Sequence, residues 1–303
     1  MKRFLCDIGF LLFVFIILCL PFEIYLSHSV HDTYSYKEHY MQEHRNEVRT
    51  LLLGNSYFEN SLNPHFLGDS VFDLAISGRW MYYDYLLAEK YIYTMSNLQF
   101  VLYPFSYAQP LRSSYHYNEW READKDYVYN YAKSMHLLYD RFPQSIWYTS
   151  ALLHGEIVKD KFLKEPYVVR DSLGYDEAKG QLENWEKVHN IDPKTFEGDL
   201  TPYMEETQFY LEGIARNCFE NQVELILIIP PFHDVYLQNT RQYGWDSVYS
   251  IINKVQQKYP IRLYDYHDDV EFRTDSIWYN CSHLNDIGAT MLAKRIRQDA
   301  GLP

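Results

Sequence analysis

Two short segments carry residues whose types suit nucleophilic chemistry. Leu51-Leu52-Leu53-Gly54-Asn55-Ser56 reads as a strand running into a tight turn that presents a hydroxyl. Asn280-Cys281-Ser282-His283-Leu284-Asn285 places an imidazole just ahead of a helix of apolar and basic residues. A serine hydroxyl is a weak nucleophile until a base takes its proton, and histidine is the side chain best matched to that task near neutral pH. Ser56 and His283 stand at opposite ends of the chain, so only a fold can make them partners. An α/β sheet does so when its first strand ends in the nucleophile and its last loop carries the base, an arrangement suited to acyl transfer.

A second serine competes, in Gly68-Asp69-Ser70. Ser70 precedes an apolar run, Val71 to Ile76, and so belongs to the opposite edge of the sheet; Gly68-Asp69-Ser70 is read as a turn. Ser56 instead follows an apolar strand and precedes a helix-compatible segment, which puts its hydroxyl at the top of the sheet. The plainer role for Ser56 is the N-cap of that helix.

The positioning elements follow from hydrophobic pattern. Val48 to Leu53, Val71 to Ile76, Phe100 to Tyr103, Val223 to Ile229 and Ile261 to Tyr264 are short apolar runs bounded by turn residues, the signature of buried parallel strands. Helical patterns lie between or after them, at Tyr82 to Met95, Glu205 to Asn221, Asp246 to Lys258 and Ile287 to Asp299. Such alternation predicts a three-layer α/β/α sandwich with a mostly parallel, flavodoxin-like sheet over 48–303. The rhythm breaks at about 106–202, a polar, Tyr-rich and helical-looking insertion. It forms either a lid over the carboxyl end of the sheet or a helical extension on the flank.

Composition narrows the partners. The 303 residues are 47% hydrophobic, enough for a full core, and the net charge of −13 argues against a nucleic-acid backbone. Aromatics reach 17% with 30 tyrosines, which suit either sugar-ring stacking or ordinary packing with the hydroxyl at the surface. Ile8 to Phe22 is almost wholly apolar, follows Lys2 and Arg3, and lacks a small-residue cleavage site. Residues 1–26 are therefore expected to form an uncleaved signal-anchor in the cytoplasmic membrane, with 27–47 a polar linker or surface helix and the domain outside. A buried N-terminal helix is the alternative. Cys218 and Cys281 either pair or remain free thiols, and neither they nor His28, His31, His39 and His44 show a metal-ligand spacing. No metal or cofactor is expected.

Four blocks together carry a family resemblance. They are Leu53-Gly54-Asn55-Ser56, Leu74-Ala75-Ile76-Ser77-Gly78, the strand Val223 to Pro231, and Asn280-Cys281-Ser282-His283 continued by Leu284-Asn285-Asp286-Ile287-Gly288-Ala289. In order and spacing the chain resembles the SGNH or GDSL hydrolase superfamily, in its membrane-anchored cell-envelope branch, over 48–105 and about 205–303. The resemblance implies Ser56 as nucleophile, His283 as general base, and backbone N–H groups of Ser56 and Gly78 as oxyanion donors. Asn280 stands where the family has the aspartate that orients the histidine, and Asn55 where it has the aspartate before the serine. A backbone carbonyl, Asp275 or Asp286 is an alternative orienter. The family's Gly-x-Asn-Asp block, source of a third oxyanion donor, is replaced by Tyr103-Pro104-Phe105-Ser106-Tyr107, where Ser106 is either that donor or a turn-forming surface serine. His233, after Pro230-Pro231, is placed at the mouth of the site or on the surface.

The implied activity is that of an esterase or O-acyltransferase acting on ester-linked acyl groups, O-acetyl in particular, of an extracytoplasmic glycan. The competing expectation is a catalytically impaired glycan-binding or envelope-assembly protein, since an amide lacks the charge that stabilises imidazolium.

Overall fold

The computed structural model describes residues 2–28, 33–109, 134–137, 171–182, 185, 201–240 and 242–303. Five parallel strands form the sheet: β1 (Thr50–Leu52), β2 (Val71–Asp73), β3 (Phe100–Pro104), β4 (Glu224–Ile229) and β5 (Ile261–Asp265). Their order is β2-β1-β3-β4-β5. This is the flavodoxin-like order, in which connections leave β1 in opposite directions and open a crevice beyond its carboxyl end. All five strands lie within a residue or three of the expected runs.

The strands are apolar because both faces of the sheet are covered. Leu52, Leu102 and Ile226 stand in register across β1, β3 and β4 and are fully buried. They join Trp278, Leu284, Leu292, Ala293 and Ile296 in one core, so α8 (Asp286–Ala300) packs on this face. Each such side chain contributes about 1.5–3 kcal/mol by leaving water. Strand alternation turns Leu51, Val101 and Leu225 to the other face, where they are equally buried. Helices α4 (Met81–Tyr91), α5 (Thr201–Glu220) and α7 (Gln242–Gln256) pack on one another, α4 on α5 and α5 on α7. Gly213 permits the first contact, since a Cβ there would lie 2.5 Å from the Tyr85 ring.

Two short elements escaped the hydrophobic pattern. Helix α3 (Ser56–Glu59) is a single turn, and β6 (Trp278–Asn280) pairs antiparallel with β7 (His283–Leu284) across an irregular register. Neither is long enough to show a period. Helix α6 (Asp234–Asn239) follows β4 and is capped by His233.

The chain divides into two compact units, 1–39 with 119–168, and 40–118 with 169–303. Helix α1 (Lys2–His28) belongs to the first; its segment Arg3–Tyr25 is long and apolar enough to cross a membrane, and its large side chains are exposed. Helix α2 (Thr33–His44) occupies most of the polar stretch. Most of the 106–202 insertion, and with it the choice between lid and flank, lies outside the described residues. The part at 171–182 is irregular and tied to the sheet domain. Leu173 O accepts from Asp73 N–H, Asp176 N–H donates to Glu59 O, and Leu182 N–H donates to Tyr279 O. Cys218 and Cys281 are both buried and no disulfide joins them, and burial pushes the Cys218 thiol up, away from its reactive thiolate form.

Candidate active site

The turn after β1 is held from three sides. Leu53 N–H donates to Leu102 O, which extends the ladder one residue beyond the strand. Gly54 then takes φ +120°, and a Cβ on it would meet Pro104 Cδ at 2.4 Å, so both backbone and space require glycine. Its N–H donates to Asp84 Oδ1 at 3.0 Å, while its carbonyl accepts from Arg79 Nε at 3.0 Å and Ile76 N–H at 3.1 Å. Arg79 and Asp84 form an ion pair of 2.8 Å with both side chains buried, and Tyr103 donates its hydroxyl to Asp84 Oδ2. Burial raises the Asp84 carboxyl, opposed by Arg79, Tyr103 and the Gly54 amide. A buried pair of this kind specifies one geometry more than it adds stability. Hydrophobic pattern does not single out Arg79 and Asp84; two charges inside the aromatic run Gly78 to Leu86 are the signal that marks them. Gly54→Ala is expected to lower stability by about 2–4 kcal/mol, read as a shift in the urea midpoint at constant m-value.

The N-cap of α3 is Asn55, whose Oδ1 accepts from Tyr57 N–H at 3.1 Å. The plainer role for Ser56 is thus taken by its neighbour, and Ser56, first in the helix and partly exposed, keeps its hydroxyl for another partner. That partner is His283: Nε2 lies 2.7 Å from Ser56 Oγ. Ser61, one turn further on, accepts at Oγ from Leu284 N–H and so ties the histidine segment to the serine segment.

The far side of the imidazole is built by Asn280, 4% exposed. Its Oδ1 accepts from Ser282 N–H at 3.0 Å and His283 N–H at 2.9 Å, and lies 3.1 Å from His283 Nδ1. Two backbone donors fix that atom as the oxygen of the amide. Ser282 Oγ lies 3.2 Å from the same oxygen and 3.0 Å from Nδ1, so its hydroxyl donates to the amide and leaves a lone pair toward the ring. The network assigns the proton to Nδ1, with Nε2 accepting from Ser56. Of the alternative orienters, Asp275 turns elsewhere: its carboxylate is 73% exposed and lies 3.1 Å from His233 Nε2. Asp286 sits in the first turn of α8, with its N–H on Ala178 O. The tight start of α8 explains Gly288, where a Cβ would lie 2.4 Å from Ile277 O.

The remaining expected residues separate. Gly78 takes φ +74° in an exposed turn, and its neighbour Ser77 is anchored on α3, N–H to Glu59 Oε2 at 2.5 Å and Oγ to Asn60 Oδ1 at 2.8 Å. Among the described residues neither Ser56 N–H nor Gly78 N–H meets an acceptor. Ser106 is fully buried, and both its N–H and its hydroxyl donate to Gln109 Oε1, at 2.5 and 2.7 Å. Its donors therefore close a local turn, but one buried in the interior rather than at the surface, where a turn-forming serine is expected. His233 is buried rather than a surface side chain, accepting from Val235 N–H at Nδ1 as the cap of α6. Ser70 is exposed at the amino edge of β2, with its carbonyl taking N–H groups of Arg49 and Thr50, as a turn residue should. The Tyr57 ring stacks on His283 and Phe232 meets Tyr57 edge-on, while Trp185 meets a different histidine, His233, edge-on.

No protein-family model and no curated protein matches the chain. Among solved structures 13 chains match. One is a crystal structure from Bacteroides fragilis described as "a putative acylhydrolase", 13% identical, covering 87% of this chain and 96% of that one, with a TM-score of 0.43. At that distance the likeness carries no argument about chemistry, which rests on the geometry of the site.

Proposed function

We propose that the chain is a serine hydrolase or acyltransferase of SGNH type that acts on ester-linked acyl groups. One observation carries this reading: the 2.7 Å approach of Ser56 Oγ to His283 Nε2, with Asn280 Oδ1 on the other ring nitrogen. Ser56 attacks the ester carbonyl as His283 takes its proton, and the same proton then goes to the departing alkoxide. Water, or a hydroxyl of an acceptor sugar, resolves the acyl-serine by the reverse steps. The N–H groups of Ser56 and Gly78, both without an acceptor among the described residues, are the oxyanion donors of this reading. Asn280 fixes the ring and its tautomer but supplies no charge.

The substrate we propose is an O-acetylated glycan outside the cytoplasm. Support comes from the apolar run of α1, which follows Lys2 and Arg3 at its start, and from the Tyr57 and Phe232 rings beside His283. With α1 as a single-pass anchor, the domain in sealed, cytoplasmic-side-in vesicles is expected to be digested by added protease without detergent. Full protection would overturn the orientation.

The decisive test of the catalytic reading is labelling by a fluorophosphonate probe. We expect covalent modification of Ser56, identified by mass spectrometry, and its loss in Ser56→Ala. A second reading, a binding protein that keeps the fold, is favoured by the neutral Asn280 and by the closure of Ser106 on Gln109. Absence of labelling together with measurable polysaccharide binding would select it.

A further inference from the structure

The turn that carries Gly78 is closed by one backbone bond, Arg79 N–H to Ile76 O at 3.1 Å, with Ser77 and Gly78 at its centre. Gly78 takes φ +74° while Ser77 keeps a negative φ, the combination of a type II turn, which calls for glycine at its third position. Types I and II share that closing bond and differ by a flip of the peptide plane between the two central residues. Here that plane carries the Gly78 N–H, so a flip would turn the donor to the opposite face of the turn. The closing bond alone does not choose between them; what holds Ser77 does.

The base of the turn is fixed on the end of the nucleophile's strand, where Ile76 N–H and Arg79 Nε both donate to Gly54 O. Its apex is fixed on the nucleophile's helix. Ser77 N–H donates to Glu59 Oε2 at 2.5 Å, and Ser77 Oγ donates to Asn60 Oδ1 at 2.8 Å. Asn60 is itself held at both ends: its backbone N–H donates to Ser56 O at 3.1 Å, and its Nδ2 donates to Asp176 O at 3.1 Å. The second donation fixes which end of the amide faces Ser77, since a carbonyl can only accept. Asp176 N–H donates to Glu59 O, so the segment 171–182 braces the end of α3 as well. One side chain thereby links the backbone of the nucleophile to the turn that presents Gly78. We propose that Asn60 is a positioning residue for the oxyanion donor, holding Ser77 so that the Gly78 N–H stays turned toward the acyl oxygen of an ester on Ser56. It touches no reacting atom and acts through Ser77 and Gly78. The inference rests on the reading of Ser56 as nucleophile and Gly78 as oxyanion donor.

The test uses the full chain in detergent micelles, with p-nitrophenyl acetate turnover, inhibition by phenylboronic acid and the rate of fluorophosphonate labelling as readouts. A boronate adduct and a phosphonyl group each place an oxygen where the oxyanion forms, whereas binding of the ground-state ester does not depend on that donor. Asn60→Ala and Ser77→Ala are each expected to lower kcat about tenfold with KM nearly constant, to raise the boronate inhibition constant about tenfold, and to slow labelling by a similar factor. Outright removal of an oxyanion donor costs about 10²–10³, and here the donor is only loosened. The double variant is expected to fall no more than about twofold below the weaker single one, because both changes break the same link. Ser77→Thr, which keeps the hydroxyl, is expected to stay within about threefold of wild type in all three readouts. Ser77→Ala keeps its N–H on Glu59 and stands in if Asn60→Ala fails to fold, as judged by the urea midpoint. Unchanged kcat in the single variants, losses confined to KM, losses that multiply in the double variant, or a Ser77→Thr variant as slow as Ser77→Ala each overturn the inference while labelling of wild-type Ser56 stands. Failure of wild-type Ser56 to take the fluorophosphonate overturns the catalytic reading, and the inference falls with it.

Discussion

Asn280→Asp raises kcat/KM for p-nitrophenyl acetate by at least about tenfold, with about 10⁴ as the ceiling. That ceiling is the loss that the reverse change, aspartate to asparagine, causes in a serine protease. The argument is geometric first. Asn280 Oδ1 already accepts from two backbone N–H groups and lies 3.1 Å from His283 Nδ1, so a carboxylate inherits every acceptor contact without moving the loop. Those same N–H groups stabilise its charged form. What changes is the charge opposite the imidazolium that forms as Ser56 attacks. The gain is expected in kcat with KM nearly unchanged, because the interaction strengthens only in the transition state. A variant that folds, as judged by an unchanged urea midpoint, and shows no gain would remove Asn280 from the orienting role.

Ser56→Ala lowers kcat by about 10² in the native background and by more, up to about 10⁶, in the Asn280→Asp background. In a complete triad, loss of the serine costs about 10⁶, and loss of the carboxylate alone about 10⁴ of that. If the native protein already lacks the carboxylate's share, about 10² is left for the serine to lose. The pair of values is therefore more informative than either alone, since the two residues act as one unit and their effects cannot add. Equal losses in both backgrounds would mean that Asn280 and Ser56 do not share a transition state. Unchanged turnover in Ser56→Ala would show that another group performs the hydrolysis.

Much of this is legible in the sequence. Five apolar runs became five parallel strands because a strand buried on both faces must be apolar throughout, and such runs need no partner to be recognised. The insertion's role was not legible, because polar, aromatic sequence without a period leaves its partner unspecified. Nor was the β6–β7 ribbon, shorter than the window in which a period shows, whereas the helix that starts at Ser56 was. Strand context alone favours Ser56 over Ser70, and the structure puts the two at opposite edges of the sheet, Ser56 beside His283. Ser106 is the residue for which sequence left two roles open. Its fate depended on Gln109, three residues on, folding back to take both of its donors.

The sequence by itself determined the layers and the order of the blocks. These are local matters, written in hydrophobic period. The tertiary structure alone decided which nitrogen of His283 faces Ser56, which oxygen holds the other nitrogen, that Arg79 and Asp84 clamp the turn, and that Tyr57 covers the ring. Each of these depends on the angle at which segments remote in sequence meet, and the strength of a hydrogen bond or ring contact turns on tenths of an ångström that no spacing along the chain encodes.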